Sequence, residues 1–203
     1  MNRLTILTWS VAICLVLLVV AGCTLRNSPE VRYYSLLNVE QLAEDERLAS
    51  LPEVRLGIGP VSIADSLKRT QIVTRVDQNQ YHFDEFNRWA GPLDDDLASV
   101  VGVNLGLLLG TNYVDFFPWR QYFKPTYRVL FNVERLDGAL GGEAVLEVRW
   151  TIIGADDSKV LAENRSVYRL SAKGNDFSAL VSAESRLVAE FCRELARVIA
   201  RGR

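Results

Sequence analysis
Few residues in this chain are equipped for chemistry. It holds one histidine, His82, and three cysteines, Cys14, Cys23 and Cys192. A catalytic triad has only His82 to draw on, and a metal site there lacks a second histidine or a nearby cysteine. Its plain reading is a polar strand residue. Acidic side chains cluster twice. Asp94, Asp95 and Asp96 are consecutive, and residues one or two apart on a helix do not face each other, so they make a poor acid–base pair. They suit the first turn of a helix, where the backbone dipole favours negative charge. Asp84 and Glu85 are the carboxylates that a hydrolytic reaction would have to use. Gly57-Ile58-Gly59-Pro60 is a poor phosphate loop, because the third glycine is missing and proline stands where a helix would begin. No GxSxG, HExxH, CxxC or P-loop sequence is present. The cofactor expectation is none.

Cys23 offers a different chemistry. Arg3 is followed by an uncharged, largely apolar run over residues 4–22, which then ends in Val20-Ala21-Gly22-Cys23. A short positive start, an apolar stretch and small residues before a cleavage point make a signal peptide. By length alone the run could also span a bilayer as an uncleaved anchor. The pair Ala21-Gly22 directly before Cys23 resembles a bacterial lipobox, with Val20 in place of the usual leucine. Its cysteine is acylated on sulfur, exposed by cleavage and then acylated on nitrogen. Residues 1–22 are therefore expected to be a lipoprotein signal peptide, and residues 23–30 a lipidated tether containing Pro29. At about 0.8 kcal/mol per buried methylene, two or three acyl chains hold a protein firmly to a membrane. Cys14 leaves with the leader, so Cys192 is alone and no disulfide can close within the mature chain. It is expected to be buried as a small hydrophobe.

The remaining residues, 31–203, are enough for one domain with a real core. Apolar residues are 49% and charged residues 24% of the chain, a globular composition, and the net charge of −2 gives no basic footprint for nucleic acid. Residues 31–37 have strand composition. Residues 38–52 are mixed, either a loop or a short helix. Val54, Leu56 and Ile58 alternate with Arg55, Gly57 and Gly59 in a strand that the spacing ends at Pro60. The two glycines leave one strand face bare, so another element can approach closely. Residues 70–76 and 80–86 read as a hairpin. Gly91-Pro92 starts a helix whose apolar face is Leu93, Leu97, Val100, Val101, Leu105 and Leu108, with Gly110 as its stop. Gly102, Gly106 and Gly110 form a small-residue stripe suited to close packing on a sheet. Residues 112–119 make a strand ended by Pro118. Residues 126–136, 144–152 and 160–172 alternate as a three-stranded antiparallel meander. Asn175-Asp176 then caps a last helix running to Arg201.

Several stretches together carry a resemblance: Gly57-Ile58-Gly59-Pro60-Val61, Gln71 to Arg75 (QIVTR), Arg88-Trp89-Ala90 with Pro92-Leu93, and Pro118-Trp119. In that order they resemble the PqiC/YmbA-type lipoproteins, auxiliary lipoprotein components of ABC-type or MCE-type transport systems. The resemblance implies a non-catalytic, outer-membrane lipoprotein that works with an MCE-domain protein and ABC or PqiA-like inner-membrane components in moving lipid across the periplasm. A homo-oligomer is among the assemblies it allows. In lipoproteins of this kind an aspartate after the acylated cysteine retains the protein in the inner membrane. Thr24 stands there instead, which implies outer-membrane residence facing the periplasm. Two other classes stay open at this point: a structural envelope-assembly lipoprotein, and a lipid-tethered hydrolase using Asp84 and Glu85.

The element order, strands, helix, strands, helix, with short loops, argues for an α/β (α+β) two-layer sandwich. It comprises a mixed, largely antiparallel sheet with two long helices on one face. The segment 113–127 holds seven aromatics in fifteen residues against 9% for the chain. They either pack as core or, around Pro118 and Pro125, form a surface loop. Large aromatics on such a loop anchor protein interfaces, which makes Trp119, Tyr122 and Phe123 the partner-binding candidates.

Overall fold
The computed structural model describes residues 9, 29–44, 47–77, 79–155 and 160–202. The leader, Cys23 and Thr24 lie outside the described residues. Val31–Arg203 is one compact unit. Its elements run β1 (Arg32–Tyr34), β2 (Arg55–Ile63), a short 3-10 turn (Asp65–Leu67), β3 (Gln71–Arg75) and β4 (Tyr81–Trp89). Then come α1 (Leu93–Leu109), β5 (Tyr113–Phe116), β6 (Tyr127–Gly138), β7 (Glu143–Gly154), β8 (Val160–Ser171) and α2 (Phe177–Arg201). Residues 38–52 are turns and loop with no helix among those described.

The sheet is organised on β6. β7 pairs antiparallel along one of its edges, and β8 continues antiparallel on β7. β2 and β3 share the other edge end to end, both parallel to β6: β2 from Tyr127 to Val133 and β3 at Gly138. β5 adds to β2, β4 to β3, and β1 to β4. The sheet is thus mixed, with its longest ladders antiparallel.

Alternation explains which face is buried. Val129 faces Ile152, Phe131 faces Trp150 and Val133 faces Val148 across the β6–β7 ladder. All six side chains are buried in one cluster with the apolar faces of both helices, so the helices cover the same side of the sheet. α1 contributes Leu97, Val101, Leu105 and Leu108, and α2 contributes Leu180, Val188, Phe191, Leu195 and Ile199. The α2 entry is capped as the sequence suggests, with the Asp176 carboxylate accepting from the Ala179 N–H at 2.8 Å. α1 ends at Gly110, whose φ of 66° is left-handed, the conformation glycine adopts without a Cβ clash.

Pro60 does not end β2. The strand continues to Ile63, and the register against β6 shifts between Ile58 and Val61. A β-bulge there absorbs the proline, which has no N–H to give a ladder, and Gly59 supplies the φ of 107°. The bare face of β2 is filled as expected: a Cβ on Gly57 would lie 3.1 Å from Pro125 and 3.2 Å from Trp119.

Gly138, where β6 ends, is tightly enclosed. A Cβ there would sit 2.7 Å from the Glu143 carbonyl, 2.8 Å from Leu180 Cδ1 and 2.9 Å from Ala144 Cα. Two of these neighbours are backbone of β7 and cannot swing away. Gly138→Ala is expected to destabilise the protein by about 2–3 kcal/mol through overpacking. Gly91→Ala, where nothing lies within 4 Å of the added carbon, is the control and should leave the melting temperature nearly unchanged. Equal melting of the two variants would refute the packing argument.

Candidate functional site
The N-terminal end of the domain is tied down by side chains. β1 lies parallel to the end of β4, with Tyr34 opposite Trp89. The following segment crosses the helices without strand partners, so its N–H groups need other acceptors. Leu36 N–H donates to Asp96 Oδ2 at 2.9 Å, Leu37 N–H to Ser185 Oγ at 3.0 Å and Val39 N–H to Asn104 Oδ1 at 2.8 Å. The Glu44 carboxylate accepts from Arg186 and Arg193 of α2. Asp96 is therefore not a solvated member of the helix start. It is half-buried, and burial raises its pKa while the Leu36 N–H works in the other direction.

Asn104 carries this arrangement into the core. It is fully buried on α1, and its amide Nδ2 donates to Cys192 Sγ of α2 at 3.6 Å. Sequence reasoning passed over it. The available signal was an amide within an otherwise apolar helix face. Cys192 is buried, as its spacing from Val188 and Leu195 suggests, and burial pushes its thiol up to about 12. Cys192→Ala is expected to cost on the order of 1 kcal/mol by loss of packing. The native thiol should react with a disulfide reagent only as fast as the protein opens. Immediate labelling of the folded protein would contradict this burial.

The aromatic segment divides. Tyr122 is 70% exposed, whereas Phe123 is only 6% exposed. A turn with Phe123 N–H donating to Arg120 O at 2.8 Å sends the Phe123 ring inward, where the Arg55 guanidinium lies 4.6 Å from its centroid. Phe123 thus has no surface to offer a partner. Trp119 is half-buried, edge-on to Phe117 at 5.3 Å and over Gly57. The loop is pinned by Asp115, which accepts from Arg120 N–H at 3.2 Å and Arg120 Nε at 3.1 Å. Tyr113, Phe116 and Phe117 are also exposed, by 47%, 41% and 55%; Phe117 adjoins Trp119, while Phe116 leaves the opposite face of β5 from Tyr113, toward α1. Phe116 and Val114 reach this position by lying on the glycine stripe, where a Cβ on Gly102 would meet Phe116 at 2.7 Å. Gly102 and Gly106 therefore pack on β5, whereas Gly110 faces Arg47 and Ala49 of the preceding loop. A cleft of about 490 Å³ runs between Phe116, Phe117, Pro60 and the α1 residues Asp94, Asp95, Ala98 and Ser99.

The acidic and histidine candidates have structural partners. Asp84 Oδ1 accepts from the N–H groups of Phe86 and Asn87 and from Asn87 Nδ2, each at 2.8 Å. Burial opposes ionisation of Asp84, but these donors hold its carboxyl below the usual range. Glu85 pairs with Arg88 at 3.2 Å, and exposed His82 lies 3.8 Å from Asp84. On the open face of the sheet, Glu134 accepts from Arg149 and Arg165, and Glu147 from Arg165 at 2.6 Å. Such exposed pairs add little stability, but they keep the uncovered face polar. Among the described residues, no group of His, Cys, Asp and Glu could hold a metal ion.

The family model of the ABC-type transport auxiliary lipoprotein component matches residues 34–196. The chain belongs to this family. The match begins within β1 and ends in the penultimate turn of α2, so it spans the sheet and both helices. Among solved structures, the auxiliary lipoprotein is similar to an uncharacterised protein with a TM-score of 0.69 and 20% identity. That likeness covers 84% of this chain and 99% of the other. It is also similar to protein XCC0632 from Xanthomonas campestris, with a TM-score of 0.64 and 16% identity over 82% of this chain and 93% of that one. At these identities the likeness is one of fold. No curated protein matches the sequence. No described helix of the auxiliary lipoprotein is long and apolar enough to cross a membrane.

Proposed function
We propose that this auxiliary lipoprotein is a non-catalytic component of an MCE- or ABC-type lipid transport system, anchored in the outer membrane by acyl chains on Cys23 and facing the periplasm. The family match over residues 34–196 carries this reading. Val20-Ala21-Gly22-Cys23 supports the anchor, and Thr24-Leu25 supports outer-membrane sorting. The structural use of Asp84 by its own loop supports a role without catalysis. The contact to a partner, an MCE-domain protein or a neighbouring copy, is assigned to Tyr122 and the exposed edge of Trp119, with Phe117 beside them. Phe123 is left out of this set.

The test is affinity isolation of the full-length protein from a detergent extract of its native cells. MCE-domain and ABC or PqiA-like subunits are expected in the eluate, and Tyr122→Ala is expected to deplete them without changing the melting temperature. Recovery of envelope-assembly proteins alone would favour a scaffold. Unchanged partner recovery in both Tyr122→Ala and Trp119→Ala would remove the aromatic loop from the interface.

A further inference from the structure
The described domain begins at the sheet edge formed by β1, and that edge carries a groove of about 560 Å³. Tyr33, Lys68, Arg69 and Arg88 line it, together with the turn before α1 and one carboxylate, Asp94. Tyr33 and Arg88 are opposite each other in the β1–β4 register, so their side chains leave the same face of the sheet. Tyr33 is 65% exposed. Among the described residues, Lys68 and Arg88 form ion pairs with Asp65 at 2.6 Å and Glu85 at 3.2 Å, both exposed i,i+3 pairs, and Asp94 adds its charge beside Lys68. Pairs of this kind hold their cations loosely and exchange readily for another anion. Arg69 lies over the Phe83 ring at 4.8 Å, and among the described residues no carboxylate pairs with it. A chain with a net charge of −2 thus places three cations and a tyrosine at the point where the tether joins the domain.

Chain length limits what this groove can meet. From Cys23 to residue 30, an extended chain reaches at most about 25 Å. A compact unit of the length of Val31–Arg203 is on the order of 40 Å across. An acylated Cys23 therefore keeps the β1 edge within about 25 Å of the bilayer, while β8, five strands away at about 4.8 Å each, lies about 24 Å farther along the sheet from the point of attachment. We propose that the Tyr33–Lys68–Arg69–Arg88 groove is the membrane-facing site of the domain and takes the phosphate groups of anionic lipids in the bilayer that holds the anchor. Arg and Lys near a membrane surface are drawn to anionic headgroups, and tyrosine suits the headgroup level. The inference rests on the lipid-anchor reading of Cys23 and adds the orientation of the domain on that anchor. This orientation directs β8 into the periplasm.

The experiment uses the full-length acylated protein in vesicles of phosphatidylcholine with roughly a third phosphatidylglycerol. A fluorophore is placed on Thr70→Cys at the groove or on Glu163→Cys of β8, and a headgroup-labelled quencher lipid reports proximity. Quenching is expected to be several-fold stronger at position 70 than at 163. Arg69→Glu combined with Arg88→Glu should abolish that difference while the melting temperature and vesicle flotation stay unchanged. Flotation with equal quenching at the two sites overturns the proposal and leaves the anchor reading intact. Strong quenching at 70 that survives the charge reversal also overturns it, since the tether alone would then account for the proximity. Failure to float removes the anchor reading and the inference with it. A rise in melting temperature with inorganic phosphate alone, lost in the double variant, assigns the groove to a free anion and overturns the lipid assignment.

Discussion
Raising the pH from 5 to 8 is expected to destabilise this protein through Glu184, and Glu184→Gln is expected to remove that loss. Glu184 sits on the buried face of α2, and neither carboxyl oxygen has a hydrogen-bond partner among the described residues. Burial, with the Asp137 carboxylate nearby, pushes its pKa up from 4.5 to about 8. Asp137 itself is neutralised by Arg75 and Arg135, which pair with it at 3.0 and 2.7 Å, so no cation is left over for Glu184 from this cluster. The sign follows from proton counting. Between the unfolded pKa and about 8, the folded state keeps a proton that the unfolded state has lost, so stability falls as pH rises through that window. Below the unfolded pKa both states are protonated and the contribution is fully present. At about 1.4 kcal/mol per unit, the loss at pH 8 is on the order of 3–4 kcal/mol. For a domain of this size that corresponds to about 6–16 °C in melting temperature. The gap between Glu184→Gln and wild type should therefore widen by that amount from pH 5 to pH 8. Glu184→Met, which buries no polar atom, should be more stable still at pH 8. Parallel pH profiles for wild type and Glu184→Gln would show that Glu184 does not titrate in this window.

Cys23→Ala is expected to leave an unprocessed precursor without covalent lipid. The argument is chemical. The thiol is the only side-chain nucleophile in Val20-Ala21-Gly22-Cys23, and in the proposed lipobox reading cleavage of the leader would follow its acylation. Incorporation of a labelled fatty acid should fall to background, the precursor should keep its apolar leader, and the isolation of partners proposed above should fail. A Cys23→Ala protein that still takes up the label would place the lipid elsewhere. Recovery of the wild-type protein solely with inner-membrane fractions would instead leave the anchor in place and defeat the sorting role of Thr24.

Much of the architecture was legible because it depends on period. The alternation of Val129, Phe131 and Val133 against Val148, Trp150 and Ile152 identified a one-sided meander, and the ladder register places these residues opposite one another. The apolar spacing of both helices, the Asp176 cap and the Gly110 stop were equally local signals, each made by neighbours in sequence. The burial of Cys192 followed from the same spacing. Pro60 misled, because a missing N–H ends a strand in sequence terms, while in the folded sheet a bulge and Gly59 carry β2 past it.

By itself, the sequence determined the absence of a familiar catalytic motif, the order of strands and helices, and the family to which their motifs belong. These are written in adjacent residues and survive without knowledge of any long-range contact. Tertiary structure alone decided which aromatics of the 113–127 segment reach solvent. A turn at Arg120 hides Phe123 beneath Arg55 and leaves Tyr122 outside, and no periodicity encodes that choice in an irregular loop. It also decided that Asp96 and Asn104 serve the segment after β1, since their partners lie 60 and 65 residues away. The same holds for the isolation of Glu184, because the Arg75 and Arg135 pairs that satisfy Asp137 come from strands far from α2 in sequence. It holds too for the groove at the β1 edge, where parallel pairing of β1 with β4 brings Tyr33 beside Arg88. Long-range pairing sets these four outcomes, and a single sequence carries period and local chemistry but not the partner of a distant residue.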